Sequence, residues 1–129
     1  MANKLILIIE DNELNMKLTR DLLKVKGYHT LEAGTAERGI ELARELKPDL
    51  ILMDVQLPGM DGITALKQLK SDPATSAILV AAYTASVMKS DGESIISAGF
   101  DAYITKPIVV REFLEKIRVL CEDRPGGAG

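Results

Sequence analysis

An α/β fold, a doubly wound five-stranded parallel sheet in the order 2-1-3-4-5 with helices on both faces, is what the 129-residue chain predicts, on two observations and one rule of strand connection. Short apolar runs alternate with amphipathic stretches along the chain, with no internal repeat. Three of the runs, Lys4–Ile9, Asp49–Met53 and Ile78–Tyr83, are almost continuously apolar, as strands covered by helices on both faces are. Strands that alternate with helices pair in parallel, and right-handed crossovers distribute the helices over both sides of the sheet.

The first strand, Lys4–Ile9, ends abruptly on two adjacent carboxylates, Glu10 and Asp11. A helix follows, with Asn12 as its N-cap, core-spaced Leu18, Leu22 and Val25, Lys24 and Lys26 in its last turn, and Gly27 as its stop. At roughly 100° per residue that phasing turns Met16 toward solvent, with Leu14 and Asn15 at its borders. Tyr28–Ala33 is a more mixed strand, hence nearer a sheet edge, and its His29 reads as a surface histidine rather than a catalytic or phosphocarrier one. Thr35 opens the second helix, with Ala36, Ile40 and Ala43 on one face. The third strand, Asp49–Met53, leads into Asp54 and the tight loop Leu57-Pro58-Gly59. The third helix follows Asp61, uses Ile63, Leu66 and Leu69, and ends before Asp72-Pro73. After the fourth strand, Ile78–Tyr83, comes the weakest helix, about Ser86 to Ala98; its apolar positions are sparse, and Gly92 inside it costs about 1 kcal/mol relative to Ala. A mobile element is expected there. Asp101–Thr105 is the second mixed strand, and Val109–Cys121 carries Val110, Phe113, Leu114, Ile117 and Leu120 at helical spacing. Pro125 and three glycines follow, so residues 1–122 are expected to form one domain and 123–129 a flexible tail.

Composition agrees with one self-sufficient domain. At 47% hydrophobic and 27% charged, the chain can bury a core without a disulfide or structural metal. Cys121, the single cysteine, sits in the last helical pattern and reads as a small buried hydrophobe. No apolar stretch approaches the roughly 20 residues of a membrane span, and Met1–Lys4 lacks the shape of a signal peptide. A soluble cytoplasmic protein without membrane insertion is expected. The net charge of -3, without a Lys/Arg cluster, argues against a DNA surface.

In doubly wound sheets ligands bind beyond the carboxyl ends of the strands, where the strand order reverses. Glu10 and Asp11 follow the first strand and Asp54 the third; Thr84 and Lys106 follow the fourth and fifth. Each has a plainer reading: the acids before the helix as caps or dipole partners, Asp54 as the start of a turn, Thr84 as a satisfied hydroxyl, Lys106 as a surface lysine. Their joint occurrence at strand ends favours a site. Three converging carboxylates repel one another unless a proton or a cation joins them. Oxygen ligands without His or Cys suit a hard ion, and Mg2+ bound by one or two carboxylates usually also takes a phosphate oxygen. A carboxylate can itself be a nucleophile toward phosphorus, and Asp54 is the best placed. Lys106 offers a point charge and Thr84 a hydroxyl to the phosphoryl oxygens. Tyr103 is either core filling or a ring whose position reports events at Thr84.

The segments "IIED" with Glu10-Asp11, "LILMDVQLPGMDG" around Asp54, "YTA" with Thr84, and "YITKP" with Tyr103, Lys106 and Pro107 resemble the response-regulator receiver family. With the strand–helix order the resemblance covers Lys4 to Leu120, and within the family it leans toward a stand-alone regulator of cell division. It implies a phosphoprotein of a two-component system or phosphorelay, whose Asp54 accepts a phosphoryl group from a phosphohistidine on a histidine kinase or histidine phosphotransferase. The domain would promote this Mg2+-dependent transfer, and the later hydrolysis, on itself. It further implies Mg2+ held by Asp11, Asp54 and the backbone carbonyl of Gln56, with Glu10 acting through water. Lys106 would contact the phosphoryl group, and Thr84 would swing toward it as Tyr103 turns inward. Gln56 and Ser86 are positions where the family tunes dephosphorylation. Asn12, Leu14, Asn15, Met16 and Pro107 would meet the helical bundle carrying the donor histidine. A downstream protein would bind the face formed by the fourth helix, fifth strand and fifth helix. The chain departs from the common pattern at Leu79, where many relatives have proline, and at Tyr83, which is bulkier than the usual aliphatic residue. A haloacid-dehalogenase-like phosphatase would want a second Asp where Gln56 stands, and a flavodoxin-like electron carrier a phosphate loop where Glu10-Asp11 would repel it. A phosphorylation-independent pseudo-receiver, binding partners without chemistry, is the remaining alternative.

Overall fold

The computed structural model describes residues 4–55, 57, 59, 60, 62–84, 98–105 and 109–122. Its elements run β1 (Leu5–Ile9), α1 (Glu13–Val25), β2 (His29–Ala33), α2 (Ala36–Leu46), β3 (Leu50–Asp54), α3 (Gly62–Ser71), β4 (Leu79–Thr84), β5 (Ala102–Thr105) and α4 (Val110–Glu122). All neighbouring strands are parallel, in the order β2-β1-β3-β4-β5 that the sequence predicts, with the two mixed strands at the edges. The fourth predicted helix, apart from Ala98, and the tail 123–129 lie outside the described residues.

Strand side chains alternate between two buried layers, which is why the central strands are apolar at nearly every position. Leu7, Ile9, Ile51, Met53, Val80 and Ala82 pack toward α2 and α3, against residues such as Ile40, Leu66 and Leu69. Ile6, Ile8, Leu50, Leu52, Ala81 and Tyr83 pack toward α1 and α4, against Met16, Leu23, Phe113, Ile117 and Cys121. His29 is exposed on the edge strand and Cys121 is buried, both as expected. No helix of the described residues is long and apolar enough to cross a membrane.

Local signals at the helix ends act as read. The Asn12 side chain accepts from the Asn15 N–H at 3.0 Å, the Thr35 hydroxyl accepts from the Arg38 N–H at 3.2 Å, and Gly27 ends α1 at φ 90°, a conformation that costs glycine nothing. The rotation of α1 does not follow the prediction. Its buried positions are Met16, Thr19 and Leu23, whereas Leu18 is exposed, Val25 is 81% exposed and Leu22 is half-buried. The helix presents two candidate stripes, and the one toward the sheet contains a threonine, which a search for apolar spacing passes over. Val110 at the start of α4 is likewise exposed rather than core; Phe113, Ile117 and Cys121 carry that face.

Candidate metal centre

The strand order reverses between β1 and β3, whose register pairs Ile9 with Met53. The next residues on each strand are Glu10 and Asp54, so the ladder delivers the two acids side by side at the carboxyl edge. Carboxylate oxygens of Glu10, Asp11 and Asp54 all lie within 4.8 Å of one another; Glu10 and Asp54 are buried, and Asp11 is exposed. By alternation Glu10 continues the face of Ile8, and Asp54 that of Leu52, both toward α1.

The structure divides the roles that the sequence left open for these acids. Capping falls to Asn12, not to Glu10 or Asp11. Glu10 donates its backbone N–H to the Ala33 carbonyl at 3.0 Å, and its carboxylate accepts the Asn12 N–H at 3.1 Å, which turns the chain from β1 into α1 and points Asp11 outward beside the cluster. Three oxygen-bearing anions this close, two of them buried and with no His or Cys among them, fit a hard divalent cation such as Mg2+.

The backbone of Asp54 is closely approached by Gly62, the last residue of the segment "LILMDVQLPGMDG". The Gly62 N–H donates to the Val55 carbonyl at 2.9 Å, closing the loop after β3. A Cβ at Gly62 would stand 2.7 Å from Val55 Cα and 2.9 Å from the Asp54 carbonyl oxygen, both backbone atoms that cannot yield cheaply. Gly59 in the same loop has φ 78°.

Of the other predicted site residues, Thr84 ends β4 and is in register with Thr105 on β5. Tyr103 is half-buried; its carbonyl accepts from Lys116 Nζ at 2.9 Å, and that ammonium stands 5.2 Å from the ring centroid. Lys106, Gln56, Ser86 and Pro107 lie outside the described residues. At the start of α1, Asn12 is exposed, Leu14 is 78% exposed and Asn15 is half-buried. Met16 does not face solvent as expected. It is 8% exposed and packed with Leu23 and Tyr28 in the core, because α1 is rotated to bring Thr19 inward. A cleft that includes Glu10 and Asp11 is lined by Glu13, Met16, Lys17 and Arg20. Arg20 pairs with Glu32 across that cleft at 3.0 Å. Sequence reasoning also missed a buried pair on this face: Thr19 Oγ1 donates to the Tyr83 hydroxyl at 3.2 Å.

Comparison with known proteins agrees with this geometry. Residues 6–118 match the response regulator receiver domain family. The polar-differentiation response regulator DivK of Brucella anthropi is 50% identical over 115 residues, which span 89% of this chain and 94% of that protein. A CheY-like response regulator receiver domain protein from Methanospirillum hungatei superimposes with a TM-score of 0.86 at 28% identity, over 98% of this chain and 99% of that one. The receiver domain of a sensor histidine kinase from Pseudomonas aeruginosa, solved with a magnesium ion coordinated in its active site cleft, superimposes with a TM-score of 0.85 at 27% identity, over 93% of this chain and 98% of that one.

Proposed function

The chain belongs to the response regulator receiver family, and from that premise we propose that its Asp54 accepts a phosphoryl group from a phosphohistidine of a histidine kinase or histidine phosphotransferase. The observation that carries the reading is the placement of buried Asp54 within 4.8 Å of Glu10 and Asp11, beyond the strand ends where the sheet order reverses. An Asp54 carboxylate oxygen forms a bond to phosphorus as the phosphorus–nitrogen bond breaks; the departing imidazole keeps the electron pair and takes a proton. Hydrolysis of the acyl phosphate later restores the carboxylate and releases inorganic phosphate. Glu10, Asp11, Asp54 and the backbone carbonyl of Gln56 are the groups that would hold Mg2+, Glu10 through water. When bound, the cation neutralises charge on the phosphoryl oxygens and on the carboxylates that face them.

Lys106 supplies a point charge to the transferred group, and Thr84 with Tyr103 carries its presence to a downstream protein. That protein meets the face made by the helix predicted over about Ser86 to Ala98, β5 and α4. Gln56 and Ser86 set the lifetime of the phosphoryl group. The donor's helical bundle docks on Asn12, exposed Leu14, Asn15 and Pro107. Residues 1–122 make up the receiver domain, and the protein acts in the cytoplasm. The relationship to the polar-differentiation regulator suggests a role in cell division or polarity.

The decisive test is labelling by a small acyl phosphate in Mg2+. One acid-stable, base-labile phosphoryl group per chain is expected, abolished by chelation and by Asp54→Asn. Labelling that survives either would overturn the acceptor assignment, and a chain that never labels would be an interaction module without chemistry.

A further inference from the structure

Thr19 is 0% exposed and Tyr83 1% exposed, and their hydroxyls meet between α1 and β4, 64 residues apart in the chain. Threonine is a mediocre helix former, and a fully buried hydroxyl on the apolar stripe of a helix is stable only with a partner. The partner is placed with consequence. In the β3–β4 register Tyr83 is the ladder neighbour of Asp54, two residues beyond the Leu52–Ala81 pair. Leu52, Ala81 and Tyr83 all face α1 and α4, so by alternation the Asp54 and Tyr83 side chains leave adjacent strands on one face. Along β4 the next residue is Thr84. The same α1 begins at the acidic cluster, where the Asn12 N–H binds Glu10, and shows its outer face at Leu14 and Leu18.

We infer that the Thr19–Tyr83 pair is a positioning device that couples phosphorylation of Asp54 to the setting of α1, making the exposed face of that helix a second surface that responds to the phosphoryl group. Tyr83 is the lever, flanking the acceptor on one side and bonded to the helix on the other. A displacement of the β4 end when Thr84 engages the phosphoryl group moves the Tyr83 ring, and the hydroxyl bond carries the movement into the middle of α1. Coupling of this kind is reciprocal: a protein bound to α1 changes the phosphorylation equilibrium by the factor with which phosphorylation changes its own affinity. The inference rests on the acceptor reading above and specifies which surfaces that acceptor controls.

The experiment compares amide exchange across Met16 to Leu23 in the unmodified and acyl-phosphate-labelled protein, in the wild type, Tyr83→Phe, Thr19→Val and Thr19→Ser. Phosphorylation is expected to change exchange there at least threefold in the wild type and in Thr19→Ser, which keeps the hydroxyl. In Tyr83→Phe and Thr19→Val the change falls below 1.5-fold, while label incorporation at Asp54 stays within twofold of wild type. A purely structural contact would not give this pattern, since losing it would alter exchange equally in both states and Ser would not restore a state-dependent difference. A full α1 response in both hydroxyl-free variants, or none in a fully labelled wild type, overturns the coupling and leaves the acceptor reading intact. Failure of the wild type to label at all overturns both.

Discussion

Replacing Asp54 by Asn should stabilise the metal-free protein while removing most of its response to Mg2+. Two unit charges 4.8 Å apart, the outer limit for the carboxylate oxygens of this cluster, repel by about 3.5 kcal/mol at an effective dielectric of about 20. Glu10 and Asp54 are both buried, so their repulsion is weakly screened; Asp11 is exposed, and its share is smaller. Asparagine keeps the shape of the side chain and deletes its charge. Hydrogen bonds weakened by the lost charge offset part of the gain, leaving about 1–3 kcal/mol. For a domain of this length each kcal/mol moves Tm by about 3–5 °C. Mg2+ acts in the opposite sense. At ten times Kd it adds RT ln 11, about 1.4 kcal/mol, to the wild type, and at the same concentration the Asn variant, short of one anionic ligand, should gain little. The assay is urea and thermal unfolding in EDTA and across an Mg2+ titration. A variant less stable than wild type in EDTA and equally stabilised by Mg2+ would show that the three carboxylates neither strain the fold nor form the cation site.

Leu14→Asp and Asn15→Arg should each slow transfer from a cognate histidine phosphotransferase at least tenfold, about 1.4 kcal/mol in the transition state, and leave labelling by a small acyl phosphate unchanged; equal loss with both donors would refute docking on α1. Gly62→Ala should cost about 1–3 kcal/mol and lower the labelling rate, because its Cβ would press on the backbone of Asp54 and Val55; unfolding and labelling rates that match wild type would contradict that. The Ala74 N–H first, and then the Arg44 guanidinium, hold the Asp72 carboxyl below its ordinary value. A group whose pKa is lower folded than unfolded stabilises above its unfolded value, about 3.9, and that contribution disappears as pH falls through the folded value. Asp72→Asn should therefore flatten the acid limb of urea stability below about pH 4 without altering its shape above pH 5, and an unchanged limb would remove Asp72 from the account.

The parts of this molecule legible in its sequence are those where one residue type answers one physical demand. Continuous apolar runs meant strands covered on both faces, Asn12 and Thr35 meant helix starts, Gly27 meant a stop, and acids at the ends of β1 and β3 had to meet once the order of strands was known. Gly62 was harder, because the demand on it comes from the backbone of Asp54 and Val55, which no local pattern displays. Tyr83 was noticed as too large for its place, but size alone does not say what fills the complementary space.

That space is where the rotation of α1 was misjudged, and the two facts have one cause. Counting apolar residues offers Leu18, Leu22 and Val25, bordered by Leu14, as a continuous stripe, against Met16 and Leu23 interrupted by Thr19, so the longer stripe wins on spacing alone. The structure chooses the shorter one, because the threonine hydroxyl finds the tyrosine hydroxyl inside the core and its polarity stops being a penalty. The Leu14–Val25 stripe is thereby left mostly outside, with Leu14 at 78% exposure beside the acidic cluster. A helix that places a polar residue inward and leucine outward has surrendered apolar burial that the other rotation would have gained. The inward bond stabilises this arrangement, and the outward Leu14 and Leu18 remain at the surface. The same tyrosine that pairs with Asp54 in the β3–β4 register therefore helps to set which face of α1 lies at the surface.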